Sequence, residues 1–326
     1  MRIGIVGLGR IGVMHARNVA EQAELVLADG DPARRAAAAA DLGGEVRSSL
    51  HEVLAEVDGV VIATPTPTHP ALIRQAVQAG VPVLCEKPAA LDLGVLTELV
   101  QDLKRYDVPV MMGFQRRYDP AYQELRRRVV AGGTGRVQIV RSTSNDRRPP
   151  HPSFLPGSGG IWRDLLIHDF DALAWVVGER VTEVHAAGSV LVDQVYADHG
   201  DADTATATLR FEGGALGVVT GARRNGQGYD CRLEVFGAEA TLATGVDEYT
   251  PVVSTEPGAP APAGVHDGFM GRFAAAYRAE VAHFMHVIRG TADNLTPVEE
   301  GLHALEIALA CERAVAERRP VKVTSD

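Results

Sequence analysis

The chain has 326 residues, 46% of them hydrophobic and 23% charged, with a formal net charge of −10. That length exceeds a usual single core and predicts two domains of ordinary size. An acidic chain without a basic block argues against a nucleic acid or an anionic membrane as partner, and no uncharged apolar run is long enough to span a bilayer.

The first residues carry no signal-peptide pattern. Cys85, Cys231 and Cys311 stand far apart and form neither a disulfide framework nor a CxxC pair, so a reducing cytoplasm is expected.

In chain order, RIGIV (Arg2 to Val6) reads as a buried strand and Ile11 to Gln22 as a helix. ELVLA (Glu24 to Ala28) is a second strand, followed by an Ala- and Arg-rich helix from about Pro32. Ser48 or Ser49 is placed to cap a short helix through Ala55. GVVIAT (Gly59 to Thr64), a helix from His69 to Ala79, PVLCEK (Pro82 to Lys87), a helix from Leu91 to Tyr106 and PVMMGF (Pro109 to Phe114) complete the series. Apolar strands alternating with amphipathic helices predict an α/β fold with a parallel sheet covered on both faces.

From about Arg136 the pattern changes. VQIVRSTS, VTEVHAAGSVLV, TATATLRF, ALGVVTGA, CRLEVFG and ATLAT are strand-like, several with alternation of period two. They predict a large, mainly antiparallel sheet, interrupted by one helix from about Gly160 to Val177. Pro251 to Gly264 is a Pro/Gly/Ala loop, and two helices follow, about Phe269 to Arg289 and Val298 to Arg318. The boundary is expected near residue 120, giving domains 1–120 and 121–326.

The chemistry concentrates at three places. Gly7, Gly9 and Gly12 form G-x-G-x-x-G between the first strand and the first helix, with Arg10 and Ile11 inside the loop. That context fits a dinucleotide whose pyrophosphate meets the helix N-terminus. Asp29 ends the second strand where a carboxylate binds ribose hydroxyls and repels a 2′-phosphate, which favours NAD over NADP. Arg34 and Arg35 follow a Gly-Asp-Pro turn and are close enough to reach back. Thr64, Pro65, Thr66 and His69, in ATPTPTH, lie past the fourth apolar run at the same edge of the sheet and are candidate cofactor contacts. For His69 an ordinary place in the first helical turn is an equal alternative.

The second place is CEKPAA. Only Lys87, Lys104 and Lys322 are lysines among 32 basic residues, so a lysine here, beside Glu86 and before Pro88, is informative. Lysine exchanges a proton where arginine does not. A surface lysine paired with Glu86 is the plainer alternative. The third is GGIWRDLLIHDFD, where Asp164 and His168 stand four apart and would share a helix face, with Asp171 a further turn on. A carboxylate that orients a histidine makes a proton acceptor, as alcohol oxidation requires. No third ligand has convincing spacing, so a metal is not expected.

Taken together, GLGRIGVMHA, ATPTPTH, CEKPAA, GFQRRYDP, GGIWRDLLIHDFD and NGQGYDCRLEVFG resemble the Gfo/Idh/MocA family of sugar and polyol dehydrogenases, most of all its inositol 2-dehydrogenase branch. The resemblance spans nearly the whole chain. It implies a Rossmann domain binding NAD, an α/β domain with an open sheet, and homo-oligomers, dimers or tetramers. It implies that Lys87, Asp164 and His168 are catalytic, that Arg116, Asn145 and Tyr229 lie with them near a small polyol or sugar, and that Gly7, Gly9, Arg10, Ile11, Gly12, Asp29, Thr64, Pro65, Thr66, His69, Glu86 and Lys87 hold the cofactor. Two departures stand out: Asn145 occupies a place where related chains commonly have arginine, and a Pro-rich segment, PPHPSFLPGSGG, follows it. They leave room for a modified or nucleotide-linked sugar, or for a keto-sugar reductase.

Overall fold

The computed structural model describes residues 1–323. The chain forms two units, one of Met1–Tyr118 with Ala275–Leu302, the other of Asp119–Ala274 with the chain from His303 onward. A single cut near residue 120 therefore misses one return of the chain.

The first unit runs β1 (Arg2–Val6), α1 (Arg10–Ala20), β2 (Glu24–Ala28), α2 (Pro32–Leu42), β3 (Glu45–Arg47), α3 (Leu50–Leu54), β4 (Gly59–Ile62), α4 (His69–Gln78), β5 (Val83–Glu86), α5 (Leu93–Leu103) and β6 (Val110–Gly113). Its six strands lie in the order β3-β2-β1-β4-β5-β6, all parallel. The order reverses between β1 and β4, and the crevice outside the carboxyl ends of such strands is where ligands of open α/β sheets bind. Asp31, Ser49 and Asp92 cap α2, α3 and α5 by accepting backbone N–H groups. Strand β3 escaped the sequence reading because it is a three-residue edge strand, EVR, with two charged side chains.

The second unit runs α6 (Pro120–Val130), β7 (Val137–Asn145), α7 (Leu155–Ser158), a π-helical turn (Ile161–Leu165), α8 (Ile167–Val177), β8 (Val181–Ser189), α9 (Val195–Asp198), β9 (Thr204–Phe211), β10 (Leu216–Ala222), β11 (Asp230–Gly237), β12 (Thr241–Thr244) and α10 (Phe269–Arg272). After it come α11 (Ala274–Ile288), α12 (Val298–Glu317) and β13 (Val321–Lys322). The second sheet has the order β12-β11-β7-β10-β9-β8-β13, antiparallel except for the β7–β10 pair. Alternation is plain in β9, where Ala205, Ala207, Leu209 and Phe211 are buried and Thr206, Thr208 and Arg210 are exposed. One face thus packs inward while Ile139 and Leu216 stay exposed on the other.

Helix α11 belongs to the first unit for a reason of packing. Val281, Phe284, Met285 and Val287 share one apolar cluster with Ile3, Ile5, Val61, Leu84 and Met111 of the parallel sheet. The Met112 N–H also donates to the Thr296 carbonyl at 2.7 Å, tying β6 to the chain after α11.

Candidate active site

The glycine loop occupies the carboxyl end of β1. Gly7 has φ +94°, and an added Cβ would lie 2.6 Å from the Ala63 carbonyl oxygen. At Gly12 a Cβ would lie 1.7 Å from the Gly7 carbonyl oxygen, so only hydrogen lets α1 start this close to its own loop. At Gly9 the added atom meets nothing within 4 Å. Gly9 is also the N-cap of α1, and no side chain caps that helix. An open cradle at a helix N-terminus fits a pyrophosphate. Arg10 is exposed and Ile11 half-buried at the start of the helix.

Asp29 has a second task that its sequence position did not reveal. Its carboxylate accepts the Leu8 N–H at 2.6 Å and the Asp31 N–H at 2.8 Å, so it fastens the glycine loop to the end of β2. Each carboxylate oxygen keeps a lone pair for a ribose hydroxyl. Arg34 lies 4.0 Å from this carboxylate, and Arg35 donates to the Asp29 carbonyl.

Past β4, Thr64 is half-buried and hydrogen-bonds Thr68 at 2.6 Å through the two hydroxyls; Pro65 is exposed and Thr66 half-buried. His69 is 1% exposed. Its ring sits between two carbonyl oxygens, 2.9 Å from Pro88 and 2.8 Å from Thr64. Burial lowers its proton affinity, and the two carbonyls only partly offset that. His69 therefore pins the loop after β4 to the loop after β5, the ordinary structural role.

Lys87 is half-buried directly after β5, and its bond to Pro88 is cis. The neighbouring Glu86 carboxylate is engaged by His15 of α1, whose Nε2 lies 2.7 Å from Oε1. Behind it stand Tyr277, edge-on to His15, and Glu280, both buried. Among the described residues neither carboxyl oxygen of Glu280 has a hydrogen-bond partner, and burial together with Glu86 pushes its proton affinity well up. This cluster was invisible in the sequence because α11 lies nearly two hundred residues from β5. Arg116, on the short turn Gln115–Tyr118 after β6, is buried in the same unit, and its charge acts on the Tyr277 phenol.

In the second unit Asp164 and His168 do not lie on one α-helix. Ile161–Leu165 is π-helical, with the Leu166 N–H donating to the Ile161 carbonyl at 2.9 Å, and α8 begins only at Ile167. The expected continuous helix from Gly160 is thus corrected. Asp164 rides a wide turn and His168 the first turn of α8, so their four-residue spacing is not an α-helical i,i+4 pair. Single π turns of this kind occur frequently at functional sites. Asp169, fully buried, accepts the hydroxyls of Ser142 and Ser144, the inward-facing serines of β7, which fixes the start of α8 on the sheet. Asp171 is buried in α8.

Asn145 is the last residue of β7, paired with Ala222 of β10 and Asp230 of β11. Tyr229, immediately before β11, is buried with its N–H on the His266 carbonyl at 2.9 Å. Arg223, which sequence reasoning passed over, follows β10 at the same edge and donates to Asp164 at 2.9 Å. The Arg-Arg pair after a strand was its only signal. Among the described residues no group of three His, Cys, Asp or Glu side chains converges as metal ligands, and no helix is long and apolar enough to cross a membrane.

Comparison with known proteins accords with this geometry. Residues 1–114 match an oxidoreductase family with an NAD-binding Rossmann fold, and residues 122–243 match the GFO/IDH/MocA C-terminal domain. The chain is 39% identical to the myo-inositol dehydrogenase Hyg17 of Streptomyces leeuwenhoekii, over 96% of this chain and 97% of that protein. It is 36% identical to an inositol 2-dehydrogenase of Rhizobium meliloti, over 99% of each. The crystal structure of scyllo-inositol dehydrogenase from Lactobacillus casei, with bound NAD(H) and scyllo-inositol, superposes with a TM-score of 0.90 at 30% identity, covering 99% of both chains. A glycine cradle at the head of a parallel sheet, a lysine at its ligand edge and a second unit built on an open sheet are accordingly the parts of an NAD-binding oxidoreductase of the GFO/IDH/MocA family, to which this chain belongs.

Proposed function

We propose that this protein oxidises a secondary ring hydroxyl of a cyclitol, of the myo-inositol kind, to a ketone. The observation that carries the reading is Lys87, one of three lysines in the chain, standing directly after β5 at the ligand edge of the sheet that bears the glycine cradle. Similarity over nearly the full length to inositol dehydrogenases supports the substrate class.

When bound, NAD+ supplies the hydride acceptor. The cradle at Gly9 and the Asp29 carboxylate hold it, with Arg10, Ile11, Thr64, Pro65 and Thr66 as further contacts. Glu86, held by His15, and His69 keep the loop bearing Lys87 in place. Lys87 hydrogen-bonds the substrate hydroxyl and polarises its oxygen. His168 accepts the hydroxyl proton, oriented by Asp164. Arg116, Asn145 and Tyr229 supply polar contacts to the ring. Positioned acid–base groups contribute a factor of about 10²–10⁴ to such a reaction.

A second reading, a sugar dehydrogenase or keto-sugar reductase, is favoured by the Pro-rich segment after β7, in which Phe154 is 47% exposed, and by Asn145 itself. The test is NADH formation with myo-inositol, scyllo-inositol, glucose and xylose, NAD+ and NADP+ run in parallel. Turnover of an inositol with NAD+ is the expected result. Turnover of a sugar alone, or of no free polyol while NAD+ still binds, would overturn the cyclitol assignment. The exposed Ile139 and Leu216 on the open sheet face support assembly into a dimer or tetramer, to be read by sedimentation. Three buried free cysteines support a cytoplasmic location.

A further inference from the structure

Arg223 is 2% exposed and carries a full charge into the second unit. Its Nη1 lies 2.9 Å from Asp164 Oδ2 and 3.6 Å from Asp146 Oδ2. A guanidinium so buried is tolerated only when carboxylates compensate it. Three do so here: burial works against the charge, and Asp164, Asp146 and Asp201 outweigh burial. The Asp201 carboxylate also accepts the Ile161 N–H at 2.8 Å, which fixes the first residue of the π turn that bears Asp164. The same carboxylate takes the Ala202 N–H at 2.8 Å. Tyr196 of α9 faces the cluster too, its phenol pushed up to about 12 by burial. Backbone bonds lock the arginine from below: its N–H donates to the Asp203 carbonyl at 2.8 Å, and the Asp146 N–H donates to the Ala222 carbonyl at 2.8 Å.

We propose that Arg223 is a positioning residue for the oxidation, anchoring Asp164 and balancing its charge so that His168 can serve as the proton acceptor. The inference rests on the assignment of Asp164 and His168 made above. An unbalanced carboxylate beside an imidazole favours the imidazolium, which cannot accept a proton. The arginine offsets that field while the ion pair and the π turn fix where the carboxylate points.

The sign of the effect follows. Replacing Arg223 by a neutral residue leaves the carboxylate uncompensated, so a higher pH is needed to free the imidazole. In Arg223→Gln the acid limb of the kcat/KM profile for an inositol is expected to move up by about one pH unit. The loss at pH 7 is expected to be about tenfold, recovering toward wild type at high pH, with NAD+ affinity unchanged. Arg223→Lys, which keeps the charge, is expected to return the limb close to its wild-type position. A loss that is uniform across pH, or a limb that stays in place in the folded Gln variant, would overturn the proposal.

Because an unpaired Asp164 can prevent folding, a second arm uses the doubly neutral Arg223→Gln/Asp164→Asn protein beside Asp164→Asn alone. If Arg223 acts through Asp164, the two are expected to show equal kcat/KM; a further tenfold loss in the double variant refutes it. Wild-type protein silent on both inositols sinks the assigned reaction, not this role. The His168 imidazole titration, followed by NMR without substrate and assigned with His168→Ala, then decides: it is expected to move upward in Arg223→Gln, and an unmoved titration overturns the proposal.

Discussion

Two glycines three positions apart, Gly9 and Gly12, fail in different ways when each gains a methyl group, and the contrast tests the cofactor cradle. At Gly12 the new Cβ would sit 1.7 Å from the Gly7 carbonyl oxygen, so the backbone must part by more than an ångström. Overpacking against backbone costs about 1–3 kcal/mol or more. At about 2–4 °C for each kcal/mol, Gly12→Ala should melt several degrees below wild type. At Gly9 the Cβ meets nothing within 4 Å, and φ −72° with ψ −171° suits alanine. Replacing glycine by alanine at the N-cap costs about 0.5–1 kcal/mol, and reduced unfolded-chain entropy returns about 0.4–1 kcal/mol. Gly9→Ala should therefore melt within about 2 °C of wild type without ligand. On the proposed cofactor assignment, however, its methyl group would stand where the pyrophosphate approaches the α1 N-terminus. Affinity should fall at least tenfold, about 1.4 kcal/mol, and the rise in Tm on adding NAD+ should shrink accordingly. Calorimetry with and without NAD+, together with NADH fluorescence titration, reads both quantities. Gly9→Ala binding NAD+ as wild type does, or melting as low as Gly12→Ala, would refute the assignment of Gly9 as the open wall of the cradle.

Three further outcomes are expected. Lys87→Met removes the cation that hydrogen-bonds and polarises the substrate oxygen, so kcat for the polyol should fall about a hundredfold or more while NAD+ affinity holds; an unchanged kcat removes Lys87 from the mechanism. Asp29→Asn keeps one acceptor for the glycine loop but loses the charge, so NAD+ should bind about tenfold more weakly and the preference over NADP+ should narrow; unaltered affinities for both would show that Asp29 serves the loop alone. Burial and Glu86 hold Glu280 well above the usual glutamate range, so the folded protein keeps a proton that the unfolded chain releases above about pH 4.3. That contribution is complete below this pH and fades as pH rises, so the Tm of Glu280→Gln relative to wild type should climb between pH 5 and pH 8. Parallel Tm curves would mean that Glu280 is not held protonated.

What could be read from the chain was whatever nearby residues encode. The cradle needs three glycines within six positions, at the end of an apolar strand, and all of that is local. The two sheets followed from the change of period near Arg136. The π turn did not: residues 161–165 are apolar enough for a helix, and the serines that hold Asp169 lie a strand away. Likewise nothing in AAAYRAEVAHFMHVI says which sheet its apolar face will cover, so the return of α11 to the first unit was missed. Arg223 and Glu280 are long-range facts of the same sort. An arginine in a chain with 32 basic residues, or a glutamate on a helix, reads as surface until burial shows otherwise.

The return of α11 also bears on how this protein can be made and inherited. The chain passes from one unit to the other at Tyr118, at Ala274 and again at Leu302. A fragment ending near residue 120 would carry the whole glycine cradle and all six parallel strands, yet expose the Ile3, Ile5 and Met111 surface that Val281, Phe284 and Met285 cover. Such a fragment is a template with its lid missing, prone to recruit the helix from another copy. The cofactor unit is thus contiguous in space but not in the gene, and it can be shuffled onto a new partner only if the helix travels with it.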